Sequence, residues 1–67
     1  MNTQIENIYA EMESLPPAAS KYDFALYVYN KVVEYNLFDY DFLVEMSGWC
    51  DDNNLEHFAF KFYSLTD

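Results

Sequence analysis

Residues 20–36 read SKYDFALYVYNKVVEYN, and the fold class turns on them. Their Val, Tyr and Phe content favours a strand. A half-buried strand alternates apolar and polar side chains, and Phe24-Ala25-Leu26-Tyr27-Val28 breaks that alternation. A helical period fits instead. Phe24, Val28, Val32 and Tyr35 trace one stripe, with Ala25 and Tyr27 beside it. Ser20, with Asp23 three residues on, is a shortened capping box, so the helix spans 20–35. Asn36 suits a left-handed stop, and Leu37 can fold back as the hydrophobic contact after it.

The flanking segments repeat this pattern. Thr3 and Glu6 match a capping box ahead of Ile5, Ile8, Met12 and Leu15, which predicts a helix over 3–15 ended by Pro16-Pro17. Asp39 is placed to cap a third helix, 39–51. There Phe42, Leu43, Met46, Trp49 and Cys50 form the apolar stripe. Gly48 lies inside that stretch at about 1 kcal/mol against alanine, which suggests a close helix approach. Asp51-Asp52-Asn53-Asn54 is a turn cluster. Asn54 is a candidate cap for a last helix, 54–65, with Leu55, Phe58, Ala59, Phe62 and Leu65 buried. The chain therefore reads as one all-α domain over 1–67, a compact bundle of about four short helices.

With 67 residues the core is thin, and a single cysteine, Cys50, allows no internal disulfide. Seven Tyr, six Phe and one Trp supply large buried areas in compensation. The net charge is -9, and there is no arginine. Between Val33 and Phe60 lie seven acids and no lysine or arginine: Glu34, Asp39, Asp41, Glu45, Asp51, Asp52 and Glu56. Phosphate backbones and anionic lipid would be repelled, so neither direct nucleic-acid binding nor membrane association is expected. No basic segment followed by an apolar run marks a signal peptide. No apolar run approaches the ~20 residues of a membrane span. The expected setting is soluble and cytoplasmic.

Chemistry finds little foothold in this sequence. Asp39 and Asp41 imitate the opening of a calcium loop, but Leu43 stands at the third ligand position and the loop glycine is missing. Cys50 and His57 are too few for a structural zinc site. As a nucleophile and base they would need proximity, whereas Cys50 falls on an apolar stripe and His57 in the first turn of a helix. The one glycine rules out a Gly-rich phosphate loop. No cofactor and no catalytic residue are expected, and a small metal-dependent or hydrolytic enzyme is the third reading.

The acidic surface remains. It is either a solvated face that keeps the chain soluble or a recognition face for a basic groove, since carboxylates along helices can imitate phosphates along a duplex. Tyr22, Tyr29, Tyr40 and Tyr63 fall off the main stripes and would add contact area at low entropic cost. Asp39 and Asp51 to Asn54 are spoken for as caps and turns. Glu34, Asp41, Glu45 and Glu56 are the better contact candidates, and Tyr40 joins the partner-binding set.

In size, charge and aromatic content the chain resembles the small acidic inhibitors that phages and mobile elements direct at host nucleases, among them anti-CRISPR and anti-restriction proteins. A second resemblance is local. Residues 31–64 contain Asn36-Leu37-Phe38-Asp39-Tyr40, Trp49-Cys50-Asp51-Asp52-Asn53 and Leu55-Glu56. They resemble the helical core of tailed-phage late-transcription coactivators, which act as adaptors between RNA polymerase and the sliding clamp. Both resemblances imply a phage-type protein acting on a large nucleic-acid machine in the host cytoplasm. The expectation is a non-enzymatic binding protein. It docks on the basic nucleic-acid site of a larger protein (a nuclease, CRISPR effector or polymerase) and blocks it. The alternative is a transcription adaptor that binds polymerase without imitating DNA. A thin core with surplus aromatics also leaves room for a homodimer, provided that the acids point away from its interface.

Overall fold

The computed structural model describes residues 2–67. They form four helices: α1 (Thr3–Glu13), α2 (Lys21–Tyr35), α3 (Tyr40–Asp52) and α4 (Glu56–Ser64). The all-α bundle expected from sequence is present, with helix limits within about two residues of those predicted.

Side-chain caps explain where the first three helices start. The Asn2 side chain accepts hydrogen bonds from the backbone N–H groups of Gln4 (2.8 Å) and Ile5 (3.4 Å). Asn2 is therefore the cap of α1, and the Thr3–Glu6 box is corrected. Both residues are cap formers, and the one with extended backbone just ahead of the helix takes the role. Ser20 Oγ accepts from the Asp23 N–H at 3.1 Å, and Asp39 Oδ1 from the Phe42 N–H at 2.9 Å, as expected.

Two helices stop by the same device. Asn36 is left-handed at the end of α2, with φ 55° and ψ 48°, and the Leu37 N–H bonds back to the Val32 carbonyl at 3.0 Å. At the end of α3, Asn54 has φ 61° and the Leu55 N–H reaches the Cys50 carbonyl at 2.7 Å. These are Asn-Leu C-terminal turns, in which the residue after the left-handed position folds onto the helix. Asn54 thus ends α3 and does not cap α4. Leu55 occupies that cap position, with no side-chain hydrogen bond.

The core is wholly apolar. It consists of Ile5 and Ile8 of α1, Phe24, Ala25, Val28 and Val32 of α2, then Leu37. Phe42, Leu43, Met46 and Cys50 of α3 and Phe58 and Phe62 of α4 complete it. Among the helix pairs α3 and α4 pack most extensively, and Ser47 Oγ on α3 donates to the Ala59 carbonyl on α4 at 2.9 Å. Aromatic edges join three further pairs: Tyr9 on Phe42 between α1 and α3, Phe24 on Trp49 between α2 and α3, and Tyr22 on Phe58 with Tyr29 on Phe62 between α2 and α4. Such contacts contribute roughly 0.5–1.5 kcal/mol each beyond their buried area.

Four residues differ from expectation. Tyr35, assigned to the buried stripe, is exposed, because Leu37 folds back and is buried near the same helix end. Tyr27, placed beside that stripe, is also exposed, and its hydroxyl donates to Glu11 at 3.3 Å. Tyr29, expected on the surface, is half-buried against Phe62. Gly48 permits no close approach: it is exposed, and a Cβ built on it would meet no neighbouring atom within 4 Å.

Candidate functional site

All seven acids of the lysine-free stretch are exposed, but they do not lie on one helix. Asp41, Glu45 and Asp52 follow one another along α3 at intervals of four and seven, which places them in one outward line with Gly48 between. Asp51 and Tyr40 sit about a quarter-turn round the helix from that line. Asp39 is at the N-terminal end, with one carboxylate oxygen committed to the cap. Glu34 lies on α2 and Glu56 in the first turn of α4.

α1 meets the start of α3 through Tyr9 on Phe42 and brings further acids. Glu6, Glu11 and Glu13 are exposed on that helix, which has no basic residue, and neither has α3. By contrast, α2 carries Lys21 and Lys31 against Asp23 and Glu34, and α4 carries Lys61 against Glu56. Charge is therefore segregated. The α1–α3 side holds nearly all of the net charge of -9, and α2 and α4 are balanced. The lysines also lie against rings. The Lys31 ammonium is 5.1 Å from the Tyr35 ring centre, and that of Lys61 is 4.4 Å from the centre of Tyr29.

Where α1 meets the start of α3 the surface is concave. One hollow of about 240 Å³ is lined by Asn2, Ile5, Tyr9, Asp39, Asp41 and Phe42. A neighbouring one of about 260 Å³ adds Asn36, Leu37 and Phe38. Apolar side chains form the floor and carboxylates the rim. Tyr9 stands at the junction with its ring edge on Phe42, 5.6 Å between centroids. Its phenol pKa is pushed well above the ordinary value, first by burial and then by the adjacent Glu45 carboxylate, with Asp39 and Asp41 adding to the effect. A phenol held neutral among three carboxylates keeps its proton as a donor. Tyr9 was not among the candidates drawn from sequence. Its spacing of four from Ile5 and three to Met12 was the available signal, because it marks the flank of the buried stripe.

Cys50 and His57 are not brought together. Cys50 is sealed in the core and burial raises its thiol pKa to about 11, whereas His57 is exposed with its ring against Phe58. A thiol so placed is inert as a nucleophile. Among the described residues, no group of three or more His, Cys, Asp and Glu side chains is arranged to hold a metal ion. Nor, among the described residues, is any helix long and apolar enough to cross a membrane. Comparison with family models, with curated proteins and with solved structures finds no match for this chain.

Proposed function

We propose that the chain is a non-enzymatic binding protein whose α1–α3 face docks on a basic, nucleic-acid-binding site of a larger protein and blocks it. The observation that carries this is the segregation of charge. Asp41, Glu45 and Asp52 line α3, and α1 adds Glu6, Glu11 and Glu13, with Glu11 turned toward Tyr27 of α2 and no basic residue on either helix. A charge spread only for solubility has no reason to leave two of four helices neutral. Carboxylates on one helix face steer a basic groove toward it. The concave junction rimmed by Asp39, Asp41 and Tyr9 is shaped for a protruding lysine or arginine side chain of the partner.

The test uses Asp41→Lys, Glu45→Lys and Asp52→Lys together, since none of the three caps a helix. Asp39 is left alone so that α3 keeps its start. The tagged chain and this variant are used to capture partners from the native cell. The partner is then titrated with duplex DNA and with salt. The expected result is a nucleic-acid-binding protein that the variant does not retain, that DNA displaces, and whose affinity falls steeply as salt rises. Retention by the variant, or simultaneous binding of DNA and the chain, would overturn it.

Simultaneous binding is what an adaptor of the transcription machinery would show. That second reading is favoured by Phe38 and Tyr40, both more than half exposed on either side of Asp39. They offer an apolar grip that owes little to charge.

A further inference from the structure

α2 is apolar on two sides. One side puts Phe24, Ala25, Val28 and Val32 into the core. On another, Tyr22, Leu26, Tyr29 and Val33 recur at intervals of four, three and four, the spacing of a helix–helix seam. Tyr22, Leu26 and Val33 are 56%, 40% and 51% exposed. Tyr29 lies half-buried at the seam's edge, against Phe62 and Lys61 of α4. The Tyr22 ring also meets Phe58 of α4 edge-on, so α4 covers the Tyr22–Tyr29 margin of this stripe, and the margin formed by Leu26 and Val33 is left open for a second cover.

Charge decides what that cover is. A basic partner is drawn to α1 and α3. Two copies at -9 each repel through that side and can approach only where α2 and α4 are balanced. The seam also has edges of opposite sign. The Lys61 ammonium lies on the edge beside Tyr29, while Asp23 and Glu34 lie round the helix beyond Leu26. A two-fold axis running along α2 sets the basic edge of each copy against the acidic edge of the other. We infer that the chain forms a homodimer through the Tyr22–Leu26–Tyr29–Val33 seam of α2, with the acidic α1–α3 faces turned outward on both copies. A standard interface takes about 800 Å² from each partner. The seam of a 15-residue helix is smaller, so the dimer is weak and concentration-dependent.

Sedimentation equilibrium on the intact chain tests this. Concentration is varied from about 5 µM to about 1 mM, at ionic strengths of about 0.02 M and 0.3 M. The expected mass climbs from 8.0 kDa toward twice that value. The climb begins at lower concentration in high salt, because screening relieves the repulsion between copies. This is the opposite of the salt response expected for a basic partner. Leu26→Glu with Val33→Glu should hold the mass at the monomer value with an unchanged circular dichroism spectrum, both side chains being surface ones. Should that pair disturb the fold, Leu26→Gln with Val33→Thr replaces it. Amide line broadening with concentration, confined to the α2 seam, then serves as the second readout. A wild-type chain that stays monomeric in high salt at the top concentration overturns the inference. So does a glutamate variant that dimerises like the wild type. A monomeric wild type whose partner capture is lost in Leu26→Glu would instead make the seam a docking site for another protein, and the dimer would be wrong.

Discussion

Gly48 is the simplest residue to improve. It lies within α3 with open space where a Cβ would stand, so nothing offsets its helix-interior penalty. Gly48→Ala should stabilise the fold by about 1 kcal/mol, read as a rise in the urea midpoint at unchanged slope. Tyr9 makes a different case. Its folded-state pKa is raised, chiefly by burial, so the neutral phenol is the form that the fold favours. The stability tied to it is fully present below its ordinary pKa of about 10 and is lost as pH rises toward the folded value. Urea midpoints taken from about pH 9 to 11.5 should therefore fall less steeply in Tyr9→Phe than in the wild type. Equal slopes would mean that the fold does not hold the phenol neutral by burial and its carboxylate neighbours.

At the scale of elements, the paired Asn-Leu turns do the work of stopping α2 and α3. Asn36→Gly should leave stability unchanged or raise it, because glycine enters the left-handed region freely. Asn36→Ala should cost roughly 1–2 kcal/mol, measurable by chemical denaturation. Helix existence was legible in the sequence because apolar stripe spacing marks every segment, and the expected caps support α2 and α3. Ser20, Asp39, Asn36 and Leu37 all act as their types and positions imply. The misplaced details have physical causes. Asn2 and Thr3 are neighbouring cap formers, and only the chain's entry geometry chooses between them. Asn54 suits a helix start and a left-handed stop equally, and the hydrogen bond from Leu55 to Cys50 settles it as a stop. Tyr29 and Tyr35 exchange fates because their burial depends on where α4 lies and on Leu37 folding back. Neither is encoded in the periodicity of α2. The acids of the candidate face were legible as exposed. Their union with α1, and the place of Tyr9 between them, required the packing of one helix on another.

For the whole molecule, -9 on a particle measuring 31 × 24 × 18 Å is a standing strain on the compact state. Raising the ionic strength from about 0.01 M to 0.2 M should increase the urea midpoint, because exposed like charges are screened over that range. A flat midpoint would show that the acids stand too far apart to matter. The two-sided charge distribution also predicts responses of opposite sign within one molecule. Association through α1 and α3 weakens with salt, while folding and association through α2 strengthen. Under dilute conditions the chain is ready for a basic target. Under concentrated, screened conditions the proposed dimer would present the proposed target with two acidic faces.

Cys50 is the only thiol, and it is shut inside the bundle. The closure that removes it from chemistry makes it a stopwatch. A thiol reagent reaches it only when α3 parts from its neighbours, so the labelling rate in native buffer counts openings. Its ratio to the rate in the unfolded chain gives the free energy of opening. A ligand that binds only the closed form slows the count in proportion to its concentration over its dissociation constant. The chain can thus time its own encounters, whatever the partner does afterwards.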